Sequence, residues 1–284
     1  MNISVIIPIH EYNDKLSVFA TTAIETVIEQ EKVDALPKIY IVHPPAIKES
    51  IVGLRDSLIR KHQEKINHES FVLVENNGDT DFQSQINLGV SQVDTKYFSI
   101  LELDDEYSKT YFYNMLKHIN YYESDEVDRD INIYLSMLVE TNTENVTLKL
   151  TNEVVWAQQF VGENGEMGFL NQNALKQYTD FKISGSVINK EEFENLGGLK
   201  KNIKLTFNYE FLLRALNNAC EIFVMPKIGY KHTSGREGSL FEDYKVNMPM
   251  NERNFWFETA TRESNFPTDR VIDMSKMNKI VVEE

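Results

Sequence analysis

The stretch Ile3-Ser4-Val5-Ile6-Ile7-Pro8-Ile9 is an almost unbroken apolar, β-branched run, and Leu16, Phe19, Ala20, Ala23, Ile24, Val27 and Ile28 follow it at helical spacing. An apolar run without polar alternation describes a strand buried on both faces, the environment of a parallel sheet covered by helices. Lys38–Val42 and Phe71–Val74 repeat the strand signal. Ile47, Ile51, Leu54 and Leu58 mark a helix between them, and Phe82, Ile86 and Val90 mark one after them. Tyr97–Leu103 is a fourth strand, cut off by Asp104-Asp105-Glu106. Strands and helices alternating at this spacing predict right-handed βαβ units and a mainly parallel sheet with helices on both faces. In such α/β sheets ligands bind outside the carboxyl ends of the strands. The loops at 8–14, 43–46, 76–79 and 104–106 are therefore expected to build the site.

The second half is less regular. Tyr111, Phe112, Met115, Leu116 and Ile119 predict a helix, and the acidic stretch 124–130 a solvated loop. Ile131–Val139 reads as a strand, and 151–182 has no firm period. Glu191–Leu196 is a short helix ended by Gly197-Gly198, and Asn208–Asn218 is another helix. Glu221–Met225 is a strand, 226–250 a loop, and Asn251–Glu263 a helix. No linker interrupts the chain, so a single domain is expected.

The chain has 284 residues with 44 acidic and 29 basic side chains, a net charge of −15. That balance disfavours a generic basic nucleic-acid coat or a polybasic membrane anchor. No apolar stretch approaches the length of a membrane span. The single cysteine, Cys220, cannot form an internal disulfide, which predicts a reducing compartment, the cytoplasm.

Asp104-Asp105-Glu106 carries the most chemistry. Adjacent carboxylates at the end of a buried strand repel one another unless a cation stands there, and Mg²⁺ or Mn²⁺ suits such oxygens. The alternative is an acidic cap on a helix starting near Ser108. A second pattern runs against the net charge: between Leu196 and Arg236 there are seven basic residues and two acidic ones. It reads either as a solvated surface or as a place for anionic groups.

The order of motifs resembles GT-A-fold glycosyltransferases of the family-2 kind. Ser4-Val5-Ile6-Ile7-Pro8-Ile9-His10-Glu11-Tyr12-Asn13 is similar to their opening strand, Asn87-Leu88-Gly89 to the step before their fourth strand, and Glu102-Leu103-Asp104-Asp105 to their D-x-D-D motif. Gly197-Gly198-Leu199 and Phe207–Arg214 stand where that family has its G-G-F-D-E stretch and acceptor-side helix. His232 stands where a late histidine completes the metal site.

The resemblance implies a GT-A (Rossmann-like) sheet, with 1–107 a nucleotide-sugar-binding lobe, 108–235 an acceptor lobe, and 236–284 a C-terminal loop and helix. It implies transfer of a sugar from a nucleoside diphosphate donor to an acceptor hydroxyl, with Mn²⁺ or Mg²⁺ held by Asp105, Asp104 and His232. Pro8, His10, Glu11, His43, Asn87, Glu102, Asp104 and Arg236 fall to the donor. Asp105 is expected on an exposed loop. His43-Pro44 replaces the family's base-contacting Asp, and Asn208 aligns with its acidic pair, leaving Glu210 as the candidate general base.

For the acceptor, Lys200, Lys201, Lys204 and Trp156 are the candidates. Composition and the stretch Asn254–Arg270 are similar to glycosyltransferases of tailed phages that modify hydroxymethylated bases in DNA, which implies a modified pyrimidine acceptor in a host cytoplasm. A glycan acceptor is the rival, and a non-catalytic nucleotide-sugar- or glycan-binding module is the alternative to an enzyme.

Overall fold

The computed structural model describes residues 1–161, 165–236, 238–239, 244 and 246–279. The first half is the expected alternation: β1 (Ile3–Pro8), α1 (Asp14–Ile28), β2 (Lys38–His43), α2 (Lys48–Lys61), β3 (Phe71–Glu75), α3 (Phe82–Gln92) and β4 (Tyr97–Ile100). Two of the three helices start on a side-chain cap. Asn13 caps α1 by accepting from the Leu16 N–H, and Asp81 caps α3 by accepting from the Ser84 N–H.

The second half adds β5 (Glu106–Tyr107), α4 (Tyr111–Tyr122), β6 (Ile133–Thr141), β7 (Thr147–Thr151), α5 (Gln158–Val161), α6 (Gln172–Gln177), β8 (Val187–Asn189), α7 (Lys190–Asn195), α8 (Phe207–Asn217), β9 (Ile222–Thr233) and α9 (Met250–Glu263).

Among the described residues the strands form one sheet in the order β3-β2-β1-β4-β8-β6-β9-β5, with β7 beside β6. β3, β2, β1 and β4 are parallel, β8 runs against both β4 and β6, and β6 and β9 are parallel. The chain winds outward from β1 to β3 and returns to the other side of β1 as β4. The switch point therefore lies between β1 and β4, the place where open α/β sheets bind ligands.

Every residue of β1 is buried. Ile3, Val5 and Ile7 pack with α1, α2 and α4, while Ile6 packs with α3 and α8, so the two faces carry separate cores. At Gly89 of α3 a Cβ would stand 2.6 Å from Ile6 Cγ2 and 3.0 Å from Val42 Cγ2. Glycine there lets α3 lie directly on β1 and β2.

Four expectations are corrected. β4 ends at Ile100 rather than Leu103, because the next residues turn the acidic motif out of the ladder. No helix starts near Ser108: β5 follows the acidic motif, and α4 begins at Tyr111 with no side-chain cap on Thr110. The strand expected to stop at Met225 runs on to Thr233. Pro226 falls where the register with β6 shifts, so its missing N–H breaks no ladder bond. The expected 226–250 loop is thereby shortened, and its residues 237, 240–243 and 245 lie outside those described. β5, β7 and β8 were not foreseen; each is five residues or fewer, and none carries a long apolar run.

Candidate active site

A cavity of 470 Å³ opens at the carboxyl ends of β1 and β4. Pro8 and His10 come from the end of β1, Asp79–Gln83 and Gln85 from the β3–α3 turn and α3, and Glu102, Leu103 and Asp104 from the segment after β4. Lys182 and Ser184 precede β8. Lys201, Asn202, Lys204 and Leu205 precede α8, which supplies Phe207 and Asn208. His232 and Thr233 end β9, and Arg236 follows.

The acidic segment is organised by β9. His232 Nδ1 lies 2.8 Å from Asp105 Oδ2, and the Thr233 N–H donates to Asp105 Oδ1 at 2.8 Å. Asp105 is fully buried, not on an exposed loop as its neighbours suggested, because β5 and β9 enclose it. Glu102 accepts from the Ser184 hydroxyl, and its N–H donates to Tyr230 Oη at 3.1 Å. Asp104 pairs with the Arg236 guanidinium.

Burial, then the neighbouring Asp105 charge, pushes the Glu102 carboxyl above its ordinary pKa. The same two causes raise Asp104, against the opposing charge of Arg236. Burial disfavours charge on His232, but the Asp105 carboxylate outweighs it and holds the imidazole above its usual value.

Glu102, Asp105 and His232 each offer a ligand atom within 4.8 Å of the others. Two carboxylates and an imidazole fit a divalent cation of the Mn²⁺ or Mg²⁺ type, and such an ion would relieve the repulsion that raises Glu102. The set differs in one member from that expected: Glu102 joins Asp105 and His232, and Asp104 is turned to Arg236.

Other candidates fall in four groups. Pro8, His10, Glu102, Asp104, Arg236, Lys201, Lys204 and Asn208 line the cavity. Glu11 is an exposed neighbour of His10, 3.7 Å from its ring. His43 and Asn87 serve the framework. His43 is buried with Nδ1 3.0 Å from the Pro44 carbonyl, and Asn87 clamps Leu199 by donating to its carbonyl at 2.7 Å and accepting its N–H at 2.8 Å.

Glu210 and Lys200 are buried away from the cavity wall, and Trp156 is half-buried against the core, also outside it. Glu210 is fully buried, accepting from Arg214 Nε at 2.9 Å and lying 3.0 Å from Lys200 Nζ. Arg214 also donates to the carbonyls of Leu196 and Gly198, and Lys200 to that of Glu263 at 2.5 Å. The Trp156 indole N–H donates to the Val224 carbonyl at 3.0 Å, and its ring packs edge-on to Phe223.

The basic segment is not a continuous positive stripe. Lys200 and Arg214 neutralise Glu210, Arg236 meets Asp104, Lys201 meets Asp79, and Lys231 meets Glu106. Lys182 and Ser184 were missed in the sequence, since Lys182 closes a stretch with no period and Ser184 follows it. Lys182 is 4% exposed and lies 3.1 Å from Glu140 Oε1.

No protein-family model matches the chain, and no curated protein matches it in sequence. Solved structures do. A TarS fragment from S. aureus in complex with UDP-GlcNAc aligns over 98% of this chain and 70% of its own, with TM-score 0.62 and 12% identity. The mannosyltransferase PcManGT from Pyrobaculum calidifontis, in complex with GDP-Man and Mn²⁺, aligns over 98% and 67%, with TM-score 0.60 and 10% identity. Against TarS as a longer chain the match covers 46% of that protein at TM-score 0.53. These neighbours are GT-A-type glycosyltransferases, and the present chain has their fold: a curled, mostly parallel sheet with helices on both faces. Among the described residues no helix is long and apolar enough to cross a membrane.

Proposed function

We propose that the protein is a glycosyltransferase that uses a nucleoside diphosphate sugar. The observation that carries the reading is the meeting of Glu102, Asp105 and His232 at the β1–β4 switch point, beside a cavity of 470 Å³. The solved neighbours that share the fold bind UDP-GlcNAc, or GDP-Man with Mn²⁺. Glu102, Asp105 and His232 would hold Mn²⁺ or Mg²⁺, which when bound neutralises charge on a diphosphate leaving group. The cavity lining sets Lys182, Lys201, Lys204 and Arg236 against Asp79, Asp81, Glu102 and Asp104, so the bound cation would supply the charge that draws a dianionic donor to a protein of net charge −15. Asp105 fixes the His232 ring, and Ser184 fixes the Glu102 carboxyl, so neither must reorganise when a donor binds.

Transfer breaks the anomeric carbon–oxygen bond to the diphosphate and forms one to the acceptor oxygen. The acceptor proton leaves to the released diphosphate or to water. Glu210 is engaged by Lys200 and Arg214 and is absent from the cavity wall, which favours a structural role over that of general base. Asn208, which does reach the cavity, can orient a hydroxyl but cannot take its proton.

Two acceptor classes were expected from the sequence. Support is stronger for a glycan than for hydroxymethylated DNA, because the basic residues between Leu196 and Arg236 are largely paired internally. The same Asn208 gives the second reading, a nucleotide-sugar- or glycan-binding module without turnover. Incubation with a panel of nucleotide sugars and Mn²⁺ separates the two. The enzyme releases nucleoside diphosphate; a module binds the nucleotide and releases none.

A further inference from the structure

Resting on the glycosyltransferase reading, we infer that Lys204 is a donor-binding residue whose ammonium meets the diphosphate, presented on a strained turn that the C-terminal segment holds in place. Four basic side chains line the cavity, and three are already engaged: Lys182 with Glu140, Lys201 with Asp79, and Arg236 with Asp104. Lys204 is exposed and has no carboxylate within ion-pair reach among the described residues. The lining carboxylates have other duties. Asp79 and Asp104 are the partners just named, Asp81 caps α3, and Glu102 stands in the Glu102–Asp105–His232 cluster. With a cation on that cluster, Lys204 is the cavity's uncompensated positive charge. A lysine ammonium is a compact point charge with three N–H donors, which suits phosphate oxygens.

The backbone singles out the same place. Leu205 has φ 39°, a left-handed conformation that a branched side chain rarely takes, and across it the Thr206 N–H donates to the Lys204 carbonyl. The result is a tight three-residue turn of the strained kind. Such strain persists only where the surroundings impose it, and it gathers at functional sites.

Here the surroundings act from three sides. Gln83 of α3 donates to the Ile203 carbonyl at 2.8 Å, and the Thr206 hydroxyl donates to the Trp256 carbonyl of α9 at 2.9 Å. The tail after α9 holds the other end. Asp269 accepts from the Lys201 N–H at 3.2 Å and from the Asn202 N–H at 3.4 Å, and the Asn202 amide donates to the Arg270 carbonyl at 3.3 Å. At Gly197, φ 88°, a Cβ would stand 2.0 Å from the Pro267 carbonyl oxygen, so glycine lets the tail lie directly on the chain. Leu205 itself packs on the Met248, Phe255 and Trp256 cluster, which Ile272 and Met277 of the tail join. A lysine that serves only as a solvated surface charge requires none of this. The sequence grouped Lys204 with the acceptor; its place in one cavity with Glu102, Asp104 and His232 favours the donor.

The test is calorimetry on the whole chain with Mn²⁺, with UDP and GDP titrated into the parent and its variants. Lys204→Met, and separately Lys204→Gln, should weaken the nucleotide that binds by about tenfold or more, the size of one charged hydrogen bond. Thermal unfolding and Mn²⁺ affinity by electron paramagnetic resonance should stay at the parent values. Asp269→Ala should weaken the nucleotide roughly threefold in the parent and add nothing in the Lys204→Met background, a non-additivity that a purely stabilising contact does not give. Nucleotide affinity unchanged in both Lys204 variants, a loss matched by an equal loss of Mn²⁺ affinity, or additive losses with Asp269→Ala would each overturn the proposal. Absence of nucleotide binding by the folded parent would instead overturn the glycosyltransferase reading, and the role of Lys204 with it.

Discussion

His232 and Asp105 are 127 residues apart in sequence, and their Nδ1 and Oδ2 atoms stand 2.8 Å apart in the fold. The Thr233 N–H takes the other Asp105 oxygen at 2.8 Å, so the end of β9 holds both oxygens of one buried carboxylate. That grip ties the acidic motif to the histidine and fixes where a cation and a diphosphate would meet.

Asp105→Asn should therefore abolish nucleoside diphosphate release and Mn²⁺ binding, and it should also destabilise the protein. Hydrogen bonds to a buried charged group contribute about 1.5–3 kcal/mol, and the amide keeps only one of its acceptor oxygens. Thermal unfolding and Mn²⁺ titration followed by electron paramagnetic resonance check the two halves. A variant that turns over nucleotide sugar at the parent rate excludes Asp105 from the site.

Glu210→Gln should act on stability. Breaking a buried ion pair by neutralising one partner costs about 3–5 kcal/mol, and here Lys200 and Arg214 would both lose their carboxylate. Denaturant unfolding should show a large loss, while the turnover of the folded fraction falls far less than the 10²-fold or more that removal of a general base produces.

Glu140 gives the pH dependence. Burial works against its charge, but Lys182, Thr151 and Lys149 overcome this and lower its pKa from 4.5 to about 2. A depressed carboxylate stabilises the fold fully above its unfolded pKa and loses that contribution as pH falls through the folded value. A shift from 4.5 to about 2 corresponds to about 3 kcal/mol. The parent should thus lose stability between about pH 5 and 2, and Glu140→Gln should be less stable at neutral pH and show a flatter acid limb in urea unfolding.

Gly89→Ala should destabilise by about 1–3 kcal/mol, the usual cost of overpacking a filled core. The new methyl would lie 2.6 Å from Ile6 Cγ2, a β1 atom buried on all sides. Restoring space with Ile6→Val, which leaves Cγ2 in place but removes Cδ1, 3.4 Å from the new methyl, should recover little of it. Thermal unfolding of the single and double variants checks both statements.

The sequence was legible wherever burial is continuous. β1, β2 and β3 with α1, α2 and α3 announce themselves because each strand is covered on both faces and each helix on one, so apolar spacing alone reports them. The site was legible in part. The acidic motif and His232 are chemically conspicuous, but nothing local tells that Glu102, rather than Asp104, stands with Asp105. That choice is made by Arg236, which follows β9 and draws Asp104 away. Glu210 and Arg214 look like an exposed i,i+4 pair, and Lys200 like a loop charge, until the fold brings the carbonyls of Leu196 and Gly198 against Arg214 and that of Glu263 against Lys200. Lys182 escaped notice because its partner Glu140 lies on β6, a strand distant in sequence.

β9 also sets the order in which the protein becomes competent. A chain leaving the ribosome can complete β1 to β4 from neighbouring segments, whereas β9 pairs with β6 and β5, laid down some ninety and over a hundred residues earlier. Such distant pairings form late. Until they do, Asp105 has neither His232 nor the Thr233 N–H, and Asp104 has no Arg236. The β1–β4 sheet can acquire its shape early, but the acidic segment that follows it stays unassembled. An unfinished copy therefore lacks the Glu102–Asp105–His232 cluster, whose members come together only when the last long strand has docked.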